Sequence, residues 1–130
     1  MKAVKFVLAG RERYLCFTVE AMFQIQDLCG GSNELMDLIQ NNTREGFATT
    51  CKAVEILAEQ GELVRRSMGY DPEPMVSAET ISATTAPGDM AALKLAIPAA
   101  ISLGYGREVE PENDEVDLCL AELSEQKKTK

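Results

Sequence analysis

The sequence predicts a mainly α-helical α+β domain, in which an N-terminal β-hairpin precedes a small helical bundle. Apolar residues first alternate with period two on both sides of a glycine, and then recur at helical spacing in four later segments. The chain has 130 residues, of which 45% are hydrophobic, enough for one core but not two. We therefore expect a single globular domain over residues 1–106, followed by an acidic spacer and an amphipathic tail over residues 107–130.

The predicted hairpin covers residues 3–18. Phe6, Leu8, Leu15 and Phe17 fall on one face of it, and that face needs a cover because an isolated hairpin is marginally stable in water. The next segment along the chain is helical in pattern, so we expect the hairpin to pack on the first helix.

Four helices are predicted from the spacing of apolar residues, over about residues 19–29, 32–40, 43–68 and 88–103. Thr18, Ser32 and Thr43 are placed to cap the first three, and Ser77 is expected to open a further turn or two. Gly61 stands inside the longest helix at a cost of roughly 1 kcal/mol relative to alanine, which indicates that another backbone passes close to it.

The polar face of the longest helix carries charges of both signs. Its members are Glu55, Glu59, Glu62, Arg65 and Arg66. Acids mixed with bases at helical spacing are typical of a solvated face, so we expect these side chains to face water rather than to form an active site.

The remaining patterns give no positive support for catalysis or for bound groups. The chain has no histidine, and its four cysteines (Cys16, Cys29, Cys51 and Cys119) include no C-x-x-C pair, so the usual zinc ligand spacings and a Cys-His nucleophile are missing. We expect no enzyme, no catalytic residue, no cofactor and no metal, with the thiols buried and reduced. An acid-base enzyme that uses two carboxylates stays open on sequence alone.

Charge and hydropathy also bear on partners and location. The net charge of −8 disfavours nucleic acid, and no apolar run is long enough to cross a membrane. Lys5 interrupts the apolar start, so we predict no signal peptide and a cytoplasmic location.

The tail combines acids with an apolar pattern. Residues 107–130 hold eight acids and four bases, and Val116, Cys119, Leu120 and Leu123 fit one face of a helix that Asn113 or Asp114 would cap. We take Val116, Leu118, Leu120 and Leu123 as candidate partner-binding residues, with helix-in-groove docking as the physical mode. Two alternatives stay open: the apolar residues fold back on the chain's own core, and the acids serve only solubility.

Two stretches together resemble a known family. "KFVLAGRERYLCFTVEAM" (residues 5–22) and "NDEVDLCLAELSEQKK" (residues 113–128) are similar to the small tail assembly chaperones of long-tailed bacteriophages and prophages. The family pattern has glycine where Cys119 stands, which affects the expected packing of the tail. The order of elements agrees along the whole chain, but only the two ends are specific.

The resemblance implies a function. Such a chaperone would be the short product of a frameshifted gene pair, and "QKKTK" (residues 126–130) is a place where a slippery codon run could be written. It would bind the tape measure protein, keep it soluble, help to recruit tail tube protein in the host bacterial cytoplasm, and leave before the virion is complete. Holdases gain from multivalency, so weak self-association is also expected. The alternative is a minor structural or head–tail connector protein, which would stay in the virion.

Overall fold

The computed structural model describes residues 2–106 and the backbone of residues 115–117. The elements in chain order are β1 (Lys2–Leu8), β2 (Arg11–Leu15), α1 (Val19–Cys29), α2 (Ser32–Ile39), α3 (Arg44–Ser67), α4 (Ala78–Thr84), a short 3-10 helix (Pro87–Asp89), α5 (Met90–Gly104) and β3 (Glu115–Asp117). This order confirms the predicted fold class, a mainly helical domain that begins with a β-hairpin. Each predicted helix is present to within two residues at either end.

The hairpin turns through only two residues. Ala9 and Gly10 have φ angles of +52° and +77°, and Leu8 lies opposite Arg11 in the antiparallel register. Positive φ at both turn positions is the geometry of a type I′ turn, whose twist matches that of the two strands. Glycine adopts this conformation freely, whereas an alanine does so at a cost.

The prediction that the hairpin packs on the first helix is wrong. β2 lies along α3, and β1 lies against α5. Gly61 explains the close approach to α3, because a Cβ atom built there would lie 1.6 Å from the carbonyl oxygen of Tyr14. The N–H of Cys16 donates a 3.1 Å hydrogen bond to the carbonyl of Leu57, which lies one helical turn before Gly61 in α3. The close backbone predicted at Gly61 is thus confirmed, and its partner is β2.

The main core lies between the sheet and the helices. Leu15, Ile25, Leu57, Leu93 and Ile97 are fully buried at its centre. The predicted face of the hairpin largely joins it, with Leu8 and Phe17 buried as well and Phe6 half-buried. A second, smaller cluster forms around Tyr14, Cys16 and Tyr70.

Threonine and serine side chains start three of the helices. The hydroxyl oxygens of Thr18 and Thr43 each accept a 3.0 Å hydrogen bond from the backbone N–H three residues later, as predicted. Ser77 caps α4 in the same way, at 3.1 Å from the N–H of Thr80. The predicted cap by Ser32 is wrong: Gly31 holds the N-cap position without a side-chain hydrogen bond, and Ser32 is the first helical residue.

The prediction that the whole polar face of α3 is exposed to solvent is wrong. Glu62 and Arg65 are only 8% and 4% exposed, because the linker that follows α3 turns back over them. The carboxylate of Glu62 accepts a 2.7 Å hydrogen bond from the N–H of Glu73, and the carboxylate of Glu55 accepts one of 3.1 Å from the N–H of Ala78. The polar face of α3 therefore anchors the linker and the start of α4.

The C-terminal segment contributes a third strand, which the sequence did not predict. β3 pairs antiparallel with β1, so that the sheet order is β2-β1-β3, with Val116 opposite Ala3. The expectation of a helix is therefore wrong for residues 115–117. β1 would otherwise be an edge strand with unpaired backbone groups, which explains why an extended segment pairs there. The division of the chain at residue 106 stays a prediction.

Candidate protein-binding surface

The predicted partner-binding residues lie at or beyond the last described strand. Val116 is the central residue of β3, and Leu118, Leu120 and Leu123 lie outside the described residues. The backbone register pairs Lys2 with Asp117 and Val4 with Glu115. A three-residue ladder is short, and the main contact of β3 within the described part of the chain is with β1.

A cleft lies between α1, α2 and the C-terminal half of α5. We call it the methionine cleft; it measures about 570 Å³, and its lining includes Met22, Gln26, Met36, Pro98 and Tyr105. The ring of Tyr105 packs on Phe17 with 5.5 Å between ring centroids, and its hydroxyl lies 3.9 Å from the sulfur of Met22. Tyr105 therefore rests on a buried core ring where it lines the cleft.

Exposed apolar side chains extend this cleft along α1. Val19 is 67% exposed and Phe23 is 50% exposed, and the two lie one helical turn apart. Met22 and Gln26, which line the cleft, fall beside them on the same side of α1. A phenylalanine that is half exposed on an amphipathic helix is available for contact with another molecule.

Two further clefts have a different character. One lies between α3 and α4, measures about 600 Å³ and is lined mainly by small side chains such as Ala48, Ala78 and Ala83. The other, of about 420 Å³, lies beside the hairpin turn and the 3-10 helix.

A cluster of charges around Arg65 has its partners inside the protein. The guanidinium of Arg65 lies 2.7 Å from the carboxylate of Glu62 and 3.6 Å from that of Glu73, and it sits over the rings of Tyr14 and Tyr70. Burial alone raises the pKa of Glu62, but hydrogen bonds from the Glu73 N–H and from two arginines hold it below the ordinary value of 4.5. The cluster therefore has a structural role: it fixes the linker between α3 and α4.

The described cysteines are free thiols with different environments. Cys16 and Cys51 are buried, and desolvation raises the pKa of Cys16 to about 12 and that of Cys51 to about 11. Both are protonated at neutral pH and therefore poor nucleophiles. Cys29 is only half-buried, so the prediction that all the thiols are buried is wrong for this residue. Cys119 lies outside the described residues.

Residues 2–106 and 115–117 contain no group of three or more cysteine, aspartate or glutamate side chains that could hold a metal ion. Within the same part of the chain, no helix is long and apolar enough to cross a membrane.

The sequence did not identify the methionine cleft. Met22 and Met36 fall at the apolar spacing of core residues, but both are only half-buried: they pack against the core and also line the cleft. Phe23 carried a usable signal, because it is an aromatic residue that falls off the apolar face of α1. Tyr105 follows the last turn of α5, and no periodic pattern includes it.

Comparison of the chain with protein-family models, with curated proteins and with solved structures finds no match.

Proposed function

We propose that this chain is a tail assembly chaperone of a long-tailed phage or prophage. It binds the tape measure protein, keeps it soluble in the host bacterial cytoplasm and helps to recruit tail tube subunits. The observation that carries the proposal is an acidic helical domain with exposed apolar side chains, Val19 and Phe23, beside a concave methionine-lined surface. Such a surface is suited to cover the apolar stripe of a helical client.

Holdase activity fits the physical properties of this surface. Methionine side chains are flexible and polarisable, so they accommodate apolar groups of different shape. The net charge of −8 keeps a complex soluble while its apolar faces are covered. The work requires binding and release, and it needs no bond-breaking chemistry.

The tail is assigned a part in client binding. Val116 is held at the sheet edge by three pairs of residues, and Leu118, Leu120 and Leu123 follow directly along the chain. A short ladder contributes little to stability, so we expect the tail to separate from its own domain when a partner arrives.

The test is co-expression with the tape measure protein. Leu120→Ser/Leu123→Ser and a truncation after Glu112 are compared with the unchanged chain, by co-purification and by soluble yield of the tape measure protein. We expect both variants to impair recovery, while the melting temperature of the double variant stays within a few degrees. Equal recovery with all three chains would show that the tail has no part in binding.

A second measurement separates the alternative function. A minor structural or connector protein remains in purified virions, whereas a chaperone is absent from them. Mass spectrometry of purified particles is therefore expected to detect the tube and the tape measure protein but not this chain. Detection at a fixed copy number would favour the connector.

A further inference from the structure

The two helices that flank the methionine cleft carry charge of only one sign. Between Tyr14 and Thr43 the sequence contains four acids and no lysine, arginine or histidine. The four acids are Glu20, Asp27, Glu34 and Asp37, and the side chains of all four are exposed. Residues 14–43 thus form a run of 30 residues without a base, although the chain has 13 bases in total.

The acids border the apolar part of the surface. Glu34 lines the cleft itself, and its carboxylate folds back over Gly31 at the start of α2. Asp27 lies one helical turn from Phe23, and Asp37 lies one turn from Asn33, which also lines the cleft. The lining of the cleft mixes apolar side chains such as Met22 and Met36 with polar ones such as Gln26. Apolar contacts beside charges of one sign form a recognition surface with a defined chemical preference.

The third wall of the cleft does not cancel this charge. Of the α5 residues, Lys94 is the only base, and it lies one turn before Pro98 at the wall's N-terminal side. Its ammonium group donates a 2.7 Å hydrogen bond to the side-chain oxygen of Asn42, in the loop between α2 and α3. The ammonium group of Lys94 is therefore bound to the loop beyond the end of α2, and the four acids of α1 and α2 outnumber this single base.

We infer that the methionine cleft is the docking site for a basic amphipathic helix of a partner protein. The apolar stripe of that helix enters between α1 and α5 and contacts Met22, Phe23 and Met36, and its lysine and arginine side chains face the surrounding acids. Helix-in-groove docking supplies the apolar contact, and the opposite charges accelerate association and select against acidic helices. This inference rests on the proposed function in one respect: the tape measure protein is the expected bearer of the helix.

The direct test uses a model peptide and the full chain. The probe is a fluorescein-labelled 18-residue helix of leucine and lysine with leucines at i, i+3, i+4 and i+7, and its match has glutamate at every lysine position. Fluorescence anisotropy is expected to show saturable binding of the lysine peptide only. Binding should weaken as salt rises from 50 to 500 mM, because the Debye screening length falls to about 4–5 Å at 500 mM salt.

Charge variants locate the binding site on the protein. Asp27→Asn/Asp37→Asn should weaken the lysine peptide roughly 2- to 10-fold, as expected for two exposed ion pairs. The matched control is Glu45→Gln/Glu79→Gln, which removes two exposed acids from α3 and α4. The control should change affinity by less than about twofold beyond the general effect of net charge.

Apolar variants provide an independent test. Phe23→Ser should weaken the peptide roughly 3- to 10-fold, because the half-exposed ring loses its contact with the bound helix. Met75→Ser is the matched control, since Met75 is 42% exposed in the linker before α4. Circular dichroism confirms that each variant is folded. Equal binding of the two peptides, no binding of either, or equal losses in cleft and control variants would each overturn the inference.

The outcome for the cleft is distinguishable from the outcome for the function. The peptide assay tests the cleft without any phage protein. If the lysine peptide binds as described and the unchanged chain fails to keep the tape measure protein soluble, the proposed function fails and the docking site stands. If the chain protects the tape measure protein and the lysine peptide does not bind, the docking site fails and the proposed function stands.

Discussion

Replacing Gly61 by alanine tests the packing of the hairpin on α3. Helix propensity alone predicts that the variant is more stable, by about 1 kcal/mol. The structure predicts the opposite, because the new Cβ would lie 1.6 Å from the carbonyl oxygen of Tyr14 and 2.5 Å from its carbonyl carbon. Real Cβ contacts are essentially never under 3.0 Å, so β2 must move away by at least about 1.4 Å, the difference between 3.0 Å and 1.6 Å.

The cost of that movement follows from the contacts it disturbs. Overpacking in a well-packed region costs roughly 1–3 kcal/mol. The 3.1 Å hydrogen bond from Cys16 to Leu57 lies beside the clash, and its loss adds about 1 kcal/mol. With the upper overpacking value, and after the helix-propensity gain, Gly61→Ala should lower the free energy of unfolding by about 3 kcal/mol. For a domain of this size, the melting temperature should fall by roughly 10 °C.

The assay is urea unfolding followed by far-UV circular dichroism, with a thermal scan beside it. Gly88→Ala is the matched control, because a Cβ at Gly88 meets nothing within 4 Å. This control should unfold at the same urea concentration as the unchanged chain or slightly higher. A Gly61→Ala variant as stable as the unchanged chain, or more stable, would refute the close contact between β2 and α3.

Three further changes test other parts of the structure. Ala9→Asn should stabilise the protein by about 0.5–1 kcal/mol in urea unfolding, since asparagine tolerates the φ of +52° at the turn better than alanine, and a loss of stability would contradict the turn geometry. Glu62→Gln should cost about 3 kcal/mol because it leaves a buried arginine short of a partner. Folding lowers the pKa of Glu62, so the stability that its carboxylate contributes is present above about pH 4.5 and is lost as pH falls through the pKa of the folded state. The free energy of unfolding of Glu62→Gln should therefore fall less steeply with acid than that of the unchanged chain. Identical acid profiles would argue against the ion pair. Peptide mapping after brief alkylation should find native Cys16 and Cys51 unmodified and Cys29 partly modified, whereas rapid labelling of Cys16 would contradict its burial.

The local features of the fold were predictable because short-range rules determine them. The threonines at positions 18 and 43 cap helices since their hydroxyls reach backbone groups three residues away. Gly61 was informative because a glycine inside a long helix has a cost that only a close neighbour explains. The period-two pattern on both sides of Ala9 and Gly10 identified the hairpin, because successive side chains of a strand alternate between the two faces of a sheet.

The errors concern contacts between segments that are distant in sequence. Periodicity placed Glu62 and Arg65 on the outer face of α3, but it carries no information about a linker that returns over that face. The cover of the hairpin was assigned to the nearest helix, whereas α3 and α5 provide it. Val116 fits a helical pattern, yet unpaired backbone groups on β1 favour an extended partner.

The methionine cleft also depends on contacts between segments that are distant in sequence. The acids of α1 and α2 are visible in the sequence, but their relation to a cleft depends on how α5 packs against both helices. Met36 has the same apolar character in the core and at a surface, so spacing alone cannot separate the two locations. Exposure of Phe23 is a property of the assembled fold.

The proposed function requires the chain to hold a long helical client in solution. The most direct measurement is light scattering after denatured tape measure protein is diluted into buffer that contains increasing amounts of the purified chain. We expect scattering to fall in a saturable manner at a fixed ratio of chain to client, whereas an unrelated acidic protein at equal concentration should have no such effect. Scattering that stays the same at every ratio would contradict the claim.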